Sequence, residues 1–234
     1  MEHKRDLHAV IVAAGNSTRM GGTDSKIFGN ICGETVLFRS VKAFAEYPGI
    51  KNIVIVLRER DIPRAAEELE GIAEDIPVTM VCGGRERIDS VSLGVDAIKE
   101  KEGILAIHDG ARPLVTREII ENAVNAVTEG VGAIPAVPVK DTIKVIDSEG
   151  YCAEDLCRSS LRAVQTPQCF ILSEYREAIR KALETDESHT DDGSVFTSFG
   201  GRVKLTQGSY ENIKITTPED LPVAEELLLR REKI

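Results

Sequence analysis

Short runs rich in valine and isoleucine recur at Leu7 to Ala13, Asn52 to Leu57, Pro77 to Cys82, Gly103 to His108 and Gly132 to Val137, and helical patterns lie between them. Thr35 to Tyr47 sets Val36, Phe38, Val41, Phe44 and Ala45 near the 3.6-residue helical period. Asp61 with Pro63 opens another helix, and Ile88 to Ile98 and Thr116 to Val127 continue the alternation. Strands alternating with helices require crossover connections, so the pattern predicts an α/β fold whose parallel sheet carries helices on both faces. Ligands of such sheets sit beyond the carboxyl ends of the strands.

After Val139 the alternation stops. Asp141 to Ile146 reads as a strand and Asp147-Ser148-Glu149-Gly150 as a turn, and the polar stretch to Ser160 holds no amphipathic helix. Residues of about 139–162 are therefore expected to form a projecting arm, which needs a partner because it cannot bury itself. Helical pattern returns at Ser173 to Leu183. Thr217-Pro218-Glu219-Asp220 then reads as a capped helix start, with Leu221, Ala224 and Leu228 as the buried stripe. No repeat or linker divides the chain, so residues 1–234 are expected to form a single domain.

Charge and cysteine use exclude several classes. A net charge of -10 repels polyanions in the mean and argues against a nucleic-acid binder. The apolar runs fall well short of the roughly 18 residues that span a bilayer, so no membrane helix is expected. The start, Met1-Glu2-His3-Lys4-Arg5-Asp6, carries no secretory signature, and a cytoplasmic location is expected. Cys32, Cys82, Cys152, Cys157 and Cys169 contain no C-x-x-C pair, so neither a disulfide framework nor a zinc site is read.

Three strand ends carry chemistry. The first strand runs into Ala13-Ala14-Gly15-Asn16-Ser17-Thr18-Arg19-Met20-Gly21-Gly22, with Lys26 following. Small residues bring backbone N–H groups close to a phosphate chain, and Arg19 and Lys26 add neutralising charge. Neither a Walker loop nor a dinucleotide fingerprint is present, and a βα loop with two solvated cations has the same composition. The second segment, Ile107-His108-Asp109-Gly110-Ala111-Arg112-Pro113, delivers Asp109 to the crevice, where a carboxylate can hold a hard divalent cation against phosphate oxygens. An Asx turn is its other reading. His108 points away from Asp109 by strand alternation and reads as a packed residue. In the third segment, Cys82-Gly83-Gly84-Arg85-Glu86-Arg87, the paired glycines and Ser90 admit a planar base against the main chain, although a plain glycine turn explains them nearly as well.

Taken in order, Ala13-Ala14-Gly15…Arg19-Met20…Lys26, Asp109-Gly110-Ala111-Arg112-Pro113, Asp141-Thr142-Ile143-Lys144, Thr166-Pro167-Gln168, Thr190-Asp191 and Asn212-Ile213-Lys214-Ile215-Thr216 span nearly the whole chain. In these motifs the sequence resembles the 2-C-methyl-D-erythritol 4-phosphate cytidylyltransferases of the non-mevalonate isoprenoid route. The resemblance implies a Rossmann-like nucleotidyltransferase fold with a mostly parallel twisted sheet, and transfer of a cytidylyl group from CTP to methylerythritol phosphate with release of pyrophosphate. It assigns Ala13, Ala14, Gly15 and Asn16 to the nucleotide, and Gly83, Gly84 and Ser90 to its base and ribose. Arg19 and Lys26 would stabilise transition-state charge, and Asp109 would hold Mg²⁺. Gly110 and Arg112 would lie near the sugar phosphates, with Thr142, Arg158, Thr190 and Lys214 on the methylerythritol phosphate; Arg158 and Lys214 count among the catalytic set. Arms of this family clasp across a homodimer, so each site would borrow Thr142 and Arg158 from its neighbour.

For Lys214, alternation with Ile213 and Ile215 is also the pattern of a half-solvated edge strand. The chain departs from the family at Ser17, where glycine is usual, and at Ser25, where proline would fix the φ that aims Lys26. Gly110 stands where alanine is common, which predicts a slightly looser site. A sister family acting on ribitol 5-phosphate shares the nucleotide loop; Gly110-Ala111 and the pair Thr142 and Arg158 favour methylerythritol phosphate. A nucleotide-binding protein without catalysis would not need Arg19, Lys26 and Asp109.

Overall fold

A computed structural model of the protein describes residues 5–15, 25–73, 75–185 and 187–231. Its strands are β1 (Leu7–Val12), β2 (Asn30–Ile31), β3 (Glu34–Thr35), β4 (Ile50–Leu57), β5 (Val78–Cys82), β6 (Ile104–Asp109), β7 (Val131–Pro138), β8 (Lys144–Ile146), β9 (Cys152–Asp155), β10 (Arg162–Val164), β11 (Gln168–Ile171) and β12 (Arg202–Gln207). The helices are α1 (Val36–Ala45), α2 (Ile62–Glu68), α3 (Arg87–Asp96), α4 (Arg117–Ala126), α5 (Leu172–Ala182), α6 (Asp192–Ser198) and α7 (Asp220–Arg231).

The main sheet runs β10-β7-β11-β6-β1-β4-β5, with β12 also paired to β7. β1 lies parallel between β4 and β6, β4 is parallel to β5, and β12 is parallel to β7. The chain winds outward from β1 through β4 to β5, then crosses back to lay β6 on the other flank of β1. This reversal opens a crevice at the carboxyl ends of β1 and β6, where the first loop and Asp109 emerge.

Period-two alternation buries the strands on both faces. Leu7, Ala9, Ile11, Ile53 and Ile55 meet Leu37, Val41 and Phe44 of α1 and Ile119 and Ile120 of α4. Val10, Val54, Val56, Leu105 and Ile107 meet Val91 and Val95 of α3 and Leu172, Tyr175 and Ile179 of α5. Thr35 and Thr116 cap α1 and α4, accepting from the backbone N–H of Phe38 and Ile119.

The structure adds two strands and adjusts two expectations. Gln168–Ile171 is a strand, β11, antiparallel to β6 and β7, so the Thr166-Pro167-Gln168 motif leads into the sheet. β12 is a further strand that the polar alternation of Arg202–Gln207 did not announce. Within the arm, Lys144–Ile146 alone of the 141–146 stretch pairs, with Cys152–Asp155 in a separate two-stranded ribbon. The last helix starts at Asp220, because the Asp220 carboxylate accepts from the backbone N–H of Thr216 and Thr217 at 2.7 and 2.9 Å and draws residues 217–219 into a turn. Ala224 of its expected stripe is buried, with Leu221 and Leu228 partly so. No described helix is long and apolar enough to cross a membrane.

Candidate active site

A cleft of about 290 Å³ opens over the ends of β1, β4, β5 and β6. Lys26, Arg58, Arg85, Arg87 and Lys214 line it against two carboxylates, Glu86 and Asp109. A protein with a net charge of -10 thus gathers a local excess of cations where its strands end.

On one side, Ala13, Ala14 and Gly15 leave β1 and face Gly83 and Gly84 at the end of β5. A Cβ on Gly83 would lie 2.4 Å from the Ala14 Cβ, and one on Gly84 would lie 2.2 Å from the Asp89 Cβ, so both glycines are required by close approach. Ser90 is engaged with this turn, its Oγ accepting from Gly84 N–H at 3.1 Å and donating to the Glu86 carbonyl at 3.0 Å. Lys26 lines the cleft from a 3₁₀ turn, Lys26–Phe28. Ser25 before it holds a φ of -73°, the value proline would have imposed. Asn16, Ser17 and Arg19 lie outside the described residues.

Asp109 anchors the other side. Lys214 Nζ lies 2.8 Å from its Oδ2, Arg112 Nε 3.5 Å from the same oxygen, and Arg87 Nη2 3.8 Å from Oδ1. Burial alone would raise the Asp109 pKa, but Lys214, Arg87 and Arg112 overturn that and hold the carboxyl well below the usual carboxylate range. Lys214 is on no strand. Its segment is tied to the acid motif instead of the sheet, through Ile215 N–H to the Ala111 carbonyl at 2.8 Å and Arg112 Nη1 to the Asn212 carbonyl at 2.7 Å.

His108 packs behind Asp109 against Phe44, as strand alternation requires. Its Nε2 is 3.2 Å from the Arg112 carbonyl, which can only accept, so Nε2 carries the proton and Nδ1 accepts from Thr166 Oγ1 at 2.9 Å. Thr166 Oγ1 in turn accepts from Asp109 N–H at 3.1 Å. Burial lowers the His108 pKa to about 4 against the pull of Asp109, and the ring stays neutral.

The remaining sequence candidates separate. Gly110 is spent on structure: its N–H donates to the Val12 carbonyl at 2.9 Å and its carbonyl accepts from Ser40 Oγ at 3.0 Å. An added Cβ would lie 2.9 Å from the Ala13 Cβ, so the site here is tight, and the expectation of looseness is overturned. Arg112 sits behind the cleft, linking Asp109 to the 212 loop. Thr190 is exposed just before α6, its N–H donating to Ser194 Oγ at 3.1 Å. Thr142 and Arg158 are exposed on the arm and do not line the cleft of their own chain; Arg158 Nη1 donates to the Lys140 carbonyl at 3.1 Å.

Arg58 and Arg87 were missed by sequence reasoning. Arg58 follows β4 and is fixed by Asp61, with Nε 2.7 Å from Oδ2. Arg87, the first residue of α3, sits 2.7 Å from Oδ2 of Asp192, whose Oδ1 accepts from the buried Tyr175 hydroxyl at 2.8 Å. The cations behind Gly83-Gly84 were the available signal for Arg85 and Arg87; nothing local marks Asp192 as the partner.

Comparison with known proteins agrees in extent and kind. The family model described as 2-C-methyl-D-erythritol 4-phosphate cytidylyltransferase matches residues 7–230. A protein of that name from Caldanaerobacter subterraneus is 46% identical over 97% of this chain and 100% of its own length. Another from Clostridium novyi is 43% identical over 94% and 95%. The crystal structure of a 4-diphosphocytidyl-2C-methyl-D-erythritol synthase from Anaerococcus prevotii superposes with a TM-score of 0.85 at 30% identity, covering 97% of this chain and 100% of that one.

Proposed function

The chain belongs to the 2-C-methyl-D-erythritol 4-phosphate cytidylyltransferase family, and we infer that its reaction, cytidylyl transfer from CTP to methylerythritol phosphate, takes place in the cleft around Asp109. An oxygen of the methylerythritol 4-phosphate attacks the α-phosphorus of CTP, a new P–O bond forms, and the bond to the β-phosphate breaks in line to release pyrophosphate. The barrier lies in bringing two polyanions together and stabilising an electron-rich phosphorus centre, which positioned cations do without a side-chain nucleophile. The observation that carries this reading is the ring of cations lining the cleft of an otherwise acidic chain.

In this reading Ala13, Ala14, Gly15 and Asn16 meet the triphosphate, and Gly83 and Gly84 the base, with Ser90 acting by holding their turn. Arg19 and Lys26 neutralise charge at the reacting phosphorus, and Lys214 orients the acceptor phosphate. Arg112 and Gly110 act from behind, fixing Asp109 and the first loop. Asp109, kept ionised by its neighbours, fits a Mg²⁺ site in which nucleotide phosphates and waters supply the remaining ligands, the usual arrangement for this ion. Among the described residues no cluster of three or more His, Cys, Asp or Glu offers a fuller cage. When bound, Mg²⁺ would draw charge from the phosphate oxygens and favour departure of pyrophosphate.

The same reading treats residues 1–234 as one cytosolic catalytic domain that works as a homodimer and takes no nucleic acid. The arm supports the dimer: Ile146 and Tyr151 are 65% and 69% exposed, and among the described residues the β8–β9 ribbon pairs with no other strand. An isolated two-stranded ribbon is marginal in water, so these side chains need cover. Thr142 and Arg158, and with them Thr190 of the receiving chain, would then hold the acceptor across the interface. Steady-state turnover with CTP and either methylerythritol 4-phosphate or ribitol 5-phosphate tests the acceptor assignment; preference for ribitol phosphate overturns it.

A further inference from the structure

Arg87 joins the two halves of the cleft, and its support is buried. Its own backbone begins α3, directly behind the Gly83–Gly84 turn, whereas its partner Asp192 begins α6, directly behind Thr190. Asp192 is 1% exposed and spends its two oxygens on Arg87, at 2.7 Å, and on the Tyr175 hydroxyl, at 2.8 Å. Tyr175 is itself fully buried and stacked on Phe170, so the anchor cannot swing. The Arg87 side chain stays 35% exposed and lines the cleft, with Nη2 3.8 Å from Asp109 Oδ1. A surface ion pair would need no such scaffolding, and a buried carboxylate costs too much desolvation to serve packing alone.

Resting on the cleft assignment above, we propose that Arg87 is a further catalytic cation, aimed by Asp192 and Tyr175 at the point where the phosphates of CTP and acceptor meet. Asp192 offsets part of the Arg87 charge while fixing its direction, so that the planar fork meets phosphate oxygens without first reorganising. Asp192 and Tyr175 are positioning residues that never touch substrate.

Arg87→Ala alone would strand the buried Asp192 charge and endanger the fold. The test therefore pairs Arg87→Met with Asp192→Asn, removing both charges together, and uses Tyr175→Phe as a second variant. Melting temperature and the separate kcat and KM values for CTP and methylerythritol phosphate are measured on each full-length chain. The double variant should melt near the parent yet lose about 10²-fold in kcat, more than either KM changes. Tyr175→Phe should lose about tenfold in kcat. A folded double variant with kcat within about twofold of the parent overturns the proposal, as does a loss confined to melting temperature. If the parent itself fails to turn over, the cleft assignment falls instead.

Discussion

Replacing Gly83 with alanine tests whether contact between the β1 and β5 loops shapes the nucleotide pocket. The main chain at Gly83 does not take the left-handed conformation, so alanine is allowed by the backbone and its cost is steric. The added Cβ would sit 2.4 Å from the Ala14 Cβ, 3.0 Å from Ser90 Oγ and 3.4 Å from Val56 Cγ1. Carbon atoms rest no closer than about 3.5 Å, so the two loops must part by about 1 Å. Neither the Ala14 methyl nor the Ser90 hydroxyl, held by Gly84 and Glu86, can swing aside. Overpacking of this kind costs about 1–3 kcal/mol, and a domain of this size loses about 2–4 °C in melting temperature per kcal/mol. A displacement of about 1 Å in a positioning loop can cost about 10²-fold in kcat/KM, here expected for CTP. Thermal melts and CTP-dependent pyrophosphate release are the assays. Ala14→Gly in the same chain removes the opposing methyl and should restore most of both losses. A single variant indistinguishable from the parent, or a double variant that recovers neither property, would refute the steric reasoning.

Other consequences concern charge and assembly. Unfolded His108 takes up a proton near pH 6.5 and folded His108 only near 4, so stability present above pH 6.5 is lost as pH falls through that window, by about 3 kcal/mol. Nitrogen-detected NMR should find the ring neutral at pH 5.5, and titration near 6.5 would contradict its placement. Asp109, depressed by its cations, adds stability above the ordinary carboxylate value of about 4 that is lost as pH falls below it. Lys214→Met removes the nearest of those cations; turnover should fall about 10²-fold, and the acid limb of the melting curve should move to higher pH. Ile146→Asp with Tyr151→Ala should leave the melting temperature of the main sheet nearly unchanged while sedimentation shifts from dimer to monomer and activity disappears; a dimer that persists would count against the arm interface.

How much of this was legible in the sequence follows from the range of the forces involved. The β1, β4 and β6 runs are buried on both faces, so they appear as apolar stretches rich in valine and isoleucine, and their order located the crevice. β11 was hidden because Gln168–Ile171 passes into α5 without a turn, and its pairing partners lie far away in sequence. β12 reads as polar because most of its side chains are exposed. Asp109 was legible from its place at a strand end, and Lys214 was legible as a residue but not as an ion-pair partner of Asp109, 105 positions earlier. Arg87 illustrates the same limit. Its charge is visible in the sequence, while its direction is set by Asp192 and Tyr175, brought to it only by the packing of α3, α5 and α6. Gly110 misled because alanine at that place suggested spare room, whereas the answer depended on the nearby end of β1.

The central claim is that cations at the strand ends, without a nucleophilic side chain, carry cytidylyl transfer in the Asp109 cleft. Lys26→Ala tests it most directly, because Lys26 lines that cleft from the short Lys26–Phe28 turn. Pyrophosphate release is followed with CTP, Mg²⁺ and methylerythritol 4-phosphate at saturating concentrations. The parent should release one pyrophosphate per cytidylyl product, and the variant should remain folded while its kcat falls by about 10² or more. A variant that folds and turns over at the parent's rate would contradict the account.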